Sequence, residues 1–421
     1  MPIRTAAIAA ALLVVAPLHV ARPQAAPSPA FELPSPTGRY AVGTTTWRVI
    51  DASRVEPFGA PGEYRNVEVF AWYPAAASAA SQPAPYLREG LVEVRAYTKL
   101  LRVAEDTFDA LSRVRTHATI DAPLAASPRR FPLLVFSGGF TGIPSYATAV
   151  LEDLASHGYV VLNVVHPYEL TAATLADGRV VSMLDASGAP RAEIREVFAE
   201  WGPEDSTVAA VTSATSRDEQ LRLLRGYLNT LAKTSAVVRR WVADTKVVLD
   251  RWTSLPATSR AGELAGRADF ARLGVFGHSM GGVVAGQFCV DDPRCRAGLN
   301  LDGIPQYGTM IDRRMAHAFL MVYSARPGRL GANDAIYRRA AQTYYRVDVA
   351  DTRHLDFCDM TFWGGPLRER PVLGTIPPDR VTAITRTVVR EFFDQELLGR
   401  RSPLLAGTEK LPEVAARKVP R

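Results

Sequence analysis

The stretch Leu273-Gly274-Val275-Phe276-Gly277-His278-Ser279-Met280-Gly281-Gly282 decides how this chain folds. Leu273 to Phe276 is a short apolar run, read as a buried strand. It breaks into Gly277-His278-Ser279-Met280-Gly281, and Gly282, Val283, Val284 and Ala285 then open a helix. Strand, sharp turn and helix in that order are the setting of a Gly-x-Ser-x-Gly nucleophile elbow, in which the serine hydroxyl is pushed out at the strand's tip. The glycines two places either side of Ser279 let strand and helix pack closely around a strained turn. The bare pattern occurs by chance in about one chain in ten of this length, so the flanking strand and small-residue helix carry the reading. A Gly-rich turn in some other α/β fold is the alternative.

Working outward, Phe131 to Phe136 is continuous and apolar, as a central parallel strand is. It runs into Ser137-Gly138-Gly139-Phe140-Thr141-Gly142. A helix over 145–156 and a strand over 159–165 complete a βαβ unit. Upstream, 41–50 and 65–73 carry strand composition around a Pro/Gly loop and are expected as an antiparallel pair at a sheet edge. Residues 90–114 have helically spaced apolar positions. Between the βαβ unit and the elbow, a helical insertion at about 168–265 is long enough to supply a cap or wall for a pocket. Strands near 297–301, 317–323 and 343–349 and a helix at roughly 380–397 follow. The sum is an α/β-hydrolase architecture: a mostly parallel sheet with helices on both faces, spanning 27–400. Residues 401–421, rich in Arg, Lys and Pro, are expected as a disordered tail.

The chain has 421 residues, 47% hydrophobic and 22% charged, enough for a sizeable core. Its net charge of +6 is interleaved rather than clustered, which argues against nucleic acid and leaves transient contact with an anionic lipid surface open. Residues 1–26, with Arg4, an apolar run over 6–16 and a Pro/Ala-rich stretch, read as a signal peptide cleaved between Ala21 and Ala26. The run is too short to span a bilayer, so the mature protein is expected to be exported. Cys289 and Cys295 flank a turn and are candidates for a disulfide, with Cys358 left as a buried thiol. No Cys/His spacing points to a metal site, and no cofactor is implied.

An elbow serine needs a base to take its proton. In this architecture an acid and then a histidine follow from loops at the ends of later strands. Downstream of Ser279 stand His317 and His354. His317 opens a strand running into the core and is expected to be buried and structural. His354 lies just past the last strand, in a polar loop, and is the favoured base. For the acid, Asp302 at the tip of strand 297–301 is favoured over Asp334, which lies well into its loop and suits an N-cap equally. The acid would fix the imidazole tautomer. Backbone N–H groups of Met280 and of Phe140, in the Gly-rich loop, are the candidate oxyanion donors.

The chain also resembles the platelet-activating factor acetylhydrolase family, in its plasma and intracellular type-two members. The resemblance runs through Leu33-Pro34-Ser35-Pro36-Thr37-Gly38, Val42-Gly43-Thr44, Asp51-Ala52-Ser53-Arg54 and Trp72-Tyr73-Pro74. It continues in Leu134-Val135-Phe136-Ser137-Gly138-Gly139 and Leu154-Ala155-Ser156-His157-Gly158-Tyr159, and is strongest at Gly277-His278-Ser279-Met280-Gly281-Gly282. It implies Asp302 as the acid, 23 residues after Ser279, and His354 as the base, with Phe357, Asp359 and Phe362 echoing the family's run. It also implies calcium-independent hydrolysis of short or oxidised acyl esters of glycerophospholipids. Two departures concern specificity: Gly138 stands where the family usually has His, and Val165-His166 replaces an acid-His pair. Small soluble esters or polyesters, as for cutinase-like hydrolases, form a second reading. A non-catalytic binding protein on the same scaffold is a third.

Overall fold

The computed structural model describes residues 31–77, 83–303, 309–326, 329 and 331–420. The expected signal peptide, 1–26, lies outside them. The N-terminal part contains β1 (Ala41–Val55), β2 (Tyr64–Ala75), β3 (Pro83–Pro85), α1 (Leu91–Leu101) and β4 (Arg115–Ile120). Next come β5 (Phe131–Ser137), α2 (Thr148–Ser156) and β6 (Val160–Val165). The insertion holds a small hairpin of β7 (Ala173–Thr174) and β8 (Val180–Val181), then α3 (Ala192–Glu200), α4 (Glu204–Ser213), α5 (Arg217–Leu228), α6 (Ala232–Trp252) and α7 (Arg260–Arg267). The C-terminal part runs β9 (Ala268–His278), α8 (Met280–Asp291), β10 (Cys295–Leu301), β11 (Ala318–Ser324), α9 (Asp334–Ala340), β12 (Thr343–Val349), α10 (Pro378–Leu398) and β13 (Val414–Val419).

Among the described residues, eleven strands form one sheet in the order β13-β12-β11-β10-β9-β5-β6-β2-β1-β4-β3. The six from β12 to β6 run parallel. Every residue of β5 and β6 is buried, which is why β5 reads as an apolar run through Phe136 and β6 as one broken only by Asn163, whose amide donates to the Pro144 carbonyl at 2.8 Å. Alternation along β9 assigns its two faces. Gly274 and Phe276 face α10, where a Cβ on Gly274 would lie 2.4 Å from Phe393 and the Phe276 and Phe393 rings are 5.6 Å apart. Gly277 faces α8, a Cβ there falling 2.2 Å from the Gly281 carbonyl carbon. Helix α2 packs with α10, and α6 with α8. Helix α10 begins with Pro378 and stops at Gly399, whose φ is 68°; a proline in the first turn and a left-handed glycine past the end are ordinary helix limits.

Three expectations need correction. The β1–β2 pair is antiparallel as read, but β4 and β3 lie outside it, so it is not the sheet edge. The helix at 90–114 ends at Leu101, where Arg102 takes a left-handed conformation, and a short 3-10 turn follows at Asp109–Arg113. The 401–421 tail is not a disordered extension: Val414–Val419 pairs antiparallel with β12 and caps the sheet. Its Arg417 and Lys418 are exposed while Val414, Ala416 and Val419 pack against the core, so the charges that suggested a loose tail are those of a protected edge strand. Cys289 and Cys295 form the disulfide, and Cys358 is a buried free thiol.

Candidate active site

Strand β9 ends at His278 and α8 begins at Met280, so Ser279 makes the whole turn by itself. Its φ of 56° and ψ of −126° lie in a region costly for a residue with a Cβ. The surroundings impose it. Ser279 N–H donates to the Leu301 carbonyl at 2.9 Å, and its carbonyl accepts Gly282 N–H at 3.0 Å. The backbones close in on both motif glycines: a Cβ on Gly281 would stand 1.9 Å from the Ser137 carbonyl oxygen.

Asp302 follows directly from β10, with φ at 57°, its N–H donating to Val322 at 2.9 Å. One carboxylate oxygen accepts the Ser324 N–H at 2.7 Å; the other accepts Ser324 Oγ–H at 3.0 Å and His354 Nδ1–H at 2.8 Å. Burial pushes the Asp302 carboxyl up, but the hydrogen bond and charge of His354, with the Ser324 bonds, outweigh it and hold the group below the usual carboxylate range. Ser324, at the end of β11, was not singled out in the sequence because nothing local ties it to Asp302.

The two alternatives sit elsewhere. The Asp334 carboxylate accepts Arg346 Nη1–H and the Tyr344 hydroxyl at 2.8 and 2.7 Å, and the helix N-cap position belongs to Asn333. His317 stands just before β11, at the end of the sheet away from Ser279. It is half-buried beside Arg296 at 3.3 Å, not inside the core as expected.

The loop after β5 closes a tight turn in which Gly139 C=O accepts Gly142 N–H at 2.9 Å, and Thr141 N–H donates to Glu169 C=O at 3.0 Å. A Cβ on Gly139 would lie 3.2 Å from Ser279 Cβ, so this loop flanks the serine. Phe140 lines the adjoining cavity. Met280 is the first residue of α8, where the N–H has no partner within the helix. A Cβ on Gly138 would fall 3.0 Å from the Tyr146 ring, so tyrosine occupies the space beside this departure from the family pattern.

Two residues outside the sequence reading complete the floor. Tyr146 Oη lies 3.0 Å from His278 Nδ1 and accepts Gly139 N–H, and His278 Nε2 lies 2.8 Å from the His354 carbonyl oxygen. Burial, with the charge of His354 adding, pulls His278 down to about 3. His278 occupied only the variable place of the motif, and Tyr146 is far from it in sequence, so no spacing rule connects them.

Buried charges tie the insertion to the sheet. Arg65 on β2 pairs with Asp244 of α6 at 2.6 Å, with Glu169 at 2.9 Å and with Glu56 at 2.8 Å. His166 stacks on Trp241 at 3.9 Å and pairs with Asp244 at 2.8 Å. Helix α3 and the turn after it thereby reach the site: Phe198 and Trp201 each meet the Phe140 ring edge-on at 5.8 Å.

Ser279, His354 and Asp302 all line one cavity of about 140 Å³, walled by these aromatics, with Glu204, Arg326 and Arg329 among its polar lining. Among the described residues the Ser279 hydroxyl makes no hydrogen bond to the His354 ring. In hydrolases without substrate that bond is often long and tightens on binding. Among the described residues no cluster of three or more His, Cys, Asp or Glu is placed to hold a metal ion.

Fold and site together place the protein among the α/β-hydrolases. More narrowly, it belongs to the family described as platelet-activating factor acetylhydrolase, isoform II, whose model it matches over residues 26–367. It is 27% identical over 189 residues to the platelet-activating factor acetylhydrolase of Cavia porcellus, covering 45% of this chain and 38% of that relative's length. The solved structure of a ferulic acid esterase from Streptomyces cinnamoneus superposes with a TM-score of 0.67 at 29% identity, covering 91% of this chain and 98% of that one.

Proposed function

We propose that the protein is a carboxylic ester hydrolase working through an acyl-enzyme on Ser279. The observation that carries this is the Asp302–His354 pair at 2.8 Å, sharing a cavity with a serine held at a strained elbow. With Nδ1–H on Asp302, His354 presents Nε2 as the base. It takes the Ser279 proton as Oγ attacks the ester carbonyl, and returns it to the departing alkoxide as the tetrahedral intermediate collapses. Water then repeats the sequence to free the acid. Phe140 and Met280 N–H groups are the proposed donors to the oxyanion. The family name and the named activities of the two relatives support ester hydrolysis.

The favoured substrate is a glycerophospholipid bearing a short or oxidised acyl chain, as the family suggests. A second reading is an aromatic or other small soluble ester, favoured by the Phe140, Phe198 and Trp201 wall and by the feruloyl esterase relative. Export belongs with the first reading, and the Cys289–Cys295 disulfide suits an oxidising compartment. A fluorophosphonate probe, with the labelled peptide mapped, tests the chemistry. Labelling at Ser279 is expected; an unlabelled Ser279 in active protein sinks the mechanism, and inactive unlabelled protein favours a binding role. Acetyl phospholipid, p-nitrophenyl esters, feruloyl esters and polyester film, assayed side by side, separate the substrates. Co-sedimentation with phospholipid vesicles reads the accompanying lipid-surface contact.

A further inference from the structure

We propose that Tyr146 and His278 form a positioning relay that locks the oxyanion loop and the His354 loop to each other; this rests on the serine-esterase reading above. The direction of every bond in it follows from donor counting. Gly139 N–H can only donate, so Tyr146 Oη accepts there. The single hydroxyl proton is then left for His278 Nδ1, 3.0 Å away. Nδ1 is therefore an acceptor, the ring carries its proton on Nε2, and Nε2–H donates to the His354 carbonyl at 2.8 Å. Each member uses one donor and one acceptor. Both side chains are nearly sealed, Tyr146 at 3% and His278 at 2% exposure, and their polar atoms are satisfied by each other and by the backbone at either end.

The two ends of this chain are the two places where the proposed reaction needs precision. At one end, Gly139 has its N–H fixed by Tyr146 and its C=O fixed by Gly142 N–H at 2.9 Å. The peptide that carries this C=O also carries Phe140 N–H, and because the unit is planar, fixing one sets the direction of the other. At the other end, the relay holds His354 by its backbone while Asp302 holds its ring at 2.8 Å. The His278 and His354 rings lie only 4.6 Å apart. A neutral His278 is what lets His354 take up a proton there without a second cation against it. A tyrosine and histidine serving only the core would need no such endpoints.

The test compares kcat, KM and binding of a boronic acid, which mimics the tetrahedral adduct, in Tyr146→Phe, His278→Gln and His278→Leu. Removing one oxyanion donor outright costs about 10²–10³ in kcat, so mispositioning one in Tyr146→Phe is expected to cost about 10–100-fold, with KM within about 3-fold. Boronate affinity should fall in parallel. A glutamine amide can accept from Tyr146 and donate to the His354 carbonyl as the ring does, so His278→Gln should keep activity within about 5-fold, while His278→Leu matches Tyr146→Phe. Unchanged kcat in Tyr146→Phe, or kcat lost without weaker boronate binding, overturns the relay. If Tyr146→Phe does not fold, equal activity in the Gln and Leu variants at 278 overturns it instead. Failure of the wild-type protein to label with fluorophosphonate at Ser279 defeats the esterase reading itself, which separates the two failures.

Discussion

Asp302 Oδ2 accepts His354 Nδ1–H at 2.8 Å, although the two residues stand 52 positions apart on loops leaving different strands. Ser324 holds the same carboxylate through both its N–H and its hydroxyl, so the acid has supports besides the imidazole. Asp302→Asn leaves the shape intact but favours the wrong tautomer, and a loss of about 10⁴ in kcat is expected by analogy with triads in general. Asp334→Asn should change kcat less than about 10-fold, its effect being a lower melting temperature from the lost Arg346 partner. Steady-state kinetics on both variants decide the matter: a larger kcat loss in Asp334→Asn removes Asp302 from its proposed role.

Ser279→Ala and His354→Ala should each cost about 10⁴–10⁶ in kcat, and the double variant little more, because residues acting as one unit are not additive. Additive losses in the double variant would show that the two act separately.

His278 also sets a pH dependence of stability. Burial in the folded protein lowers it from the ordinary imidazole value of about 6.5 to about 3. Below 6.5 the unfolded chain takes up a proton that the folded chain refuses, so unfolding is favoured increasingly as pH falls towards 3. Above 6.5 both states are neutral and the group contributes no slope. From pH 6.5 to pH 5 the wild-type protein should lose about 1.6 kcal/mol through this residue, the slope rising from about half of 1.4 kcal/mol per pH unit at 6.5 to nearly all of it at 5. His278→Gln cannot titrate and should lack that part of the acid slope. Urea midpoints of both proteins at pH 7.5, 6 and 5 provide the comparison, and parallel curves would refute a buried neutral imidazole.

The elbow was legible because its signal is local: strand, glycine, serine, glycine and helix occupy consecutive residues. Asp302 and His354 were legible as candidates because position relative to strand ends restricts the choice: both follow strands at the end that carries Ser279, and His317 does not. His317 opens a strand instead, at the end opposite the site. What the chain did not disclose is held by long-range hydrogen bonds between unremarkable residues. Ser324 serves Asp302 from a neighbouring strand, and Tyr146 reaches His278 across 132 positions. The buried Arg65–Asp244 pair spans 179 positions and leaves no periodic trace. Composition misled at the C-terminus, where Arg417 and Lys418 belong to a strand.

The elbow glycines differ from a glycine held by nothing. A Cβ at Gly281 meets the Ser137 carbonyl oxygen at 1.9 Å, backbone against backbone, so neither side chain nor rotamer can yield. Gly281→Ala is expected to destabilise by about 3 kcal/mol or more, at the upper end for overpacking. Gly226, inside α5, has open space around its Cβ position. Gly226→Ala should stabilise by about 0.5–1 kcal/mol, the helix penalty of glycine relative to alanine. Urea unfolding of the two variants reads both signs. A Gly281→Ala protein as stable as wild type would mean that strand β9 and helix α8 are not packed as described.

Strand β13 makes the last case. It pairs with β12 from Tyr344↔Val419 to Val349↔Val414, and Ala350 N–H donates to Glu413 C=O at 2.8 Å. Arg417 reaches Asp348 at 3.1 Å and Arg380 holds Glu413 at 2.7 Å. Ending the chain after Pro412 removes this ladder and bares β12, whose Tyr345, Val347 and Val349 are buried in the intact protein. An uncovered apolar edge pairs readily with another chain. The truncated protein is therefore expected to melt several degrees lower and to associate with rising concentration, seen by light scattering. A truncated protein that stays monomeric with an unchanged melting temperature would show that residues 413–420 do not close the sheet.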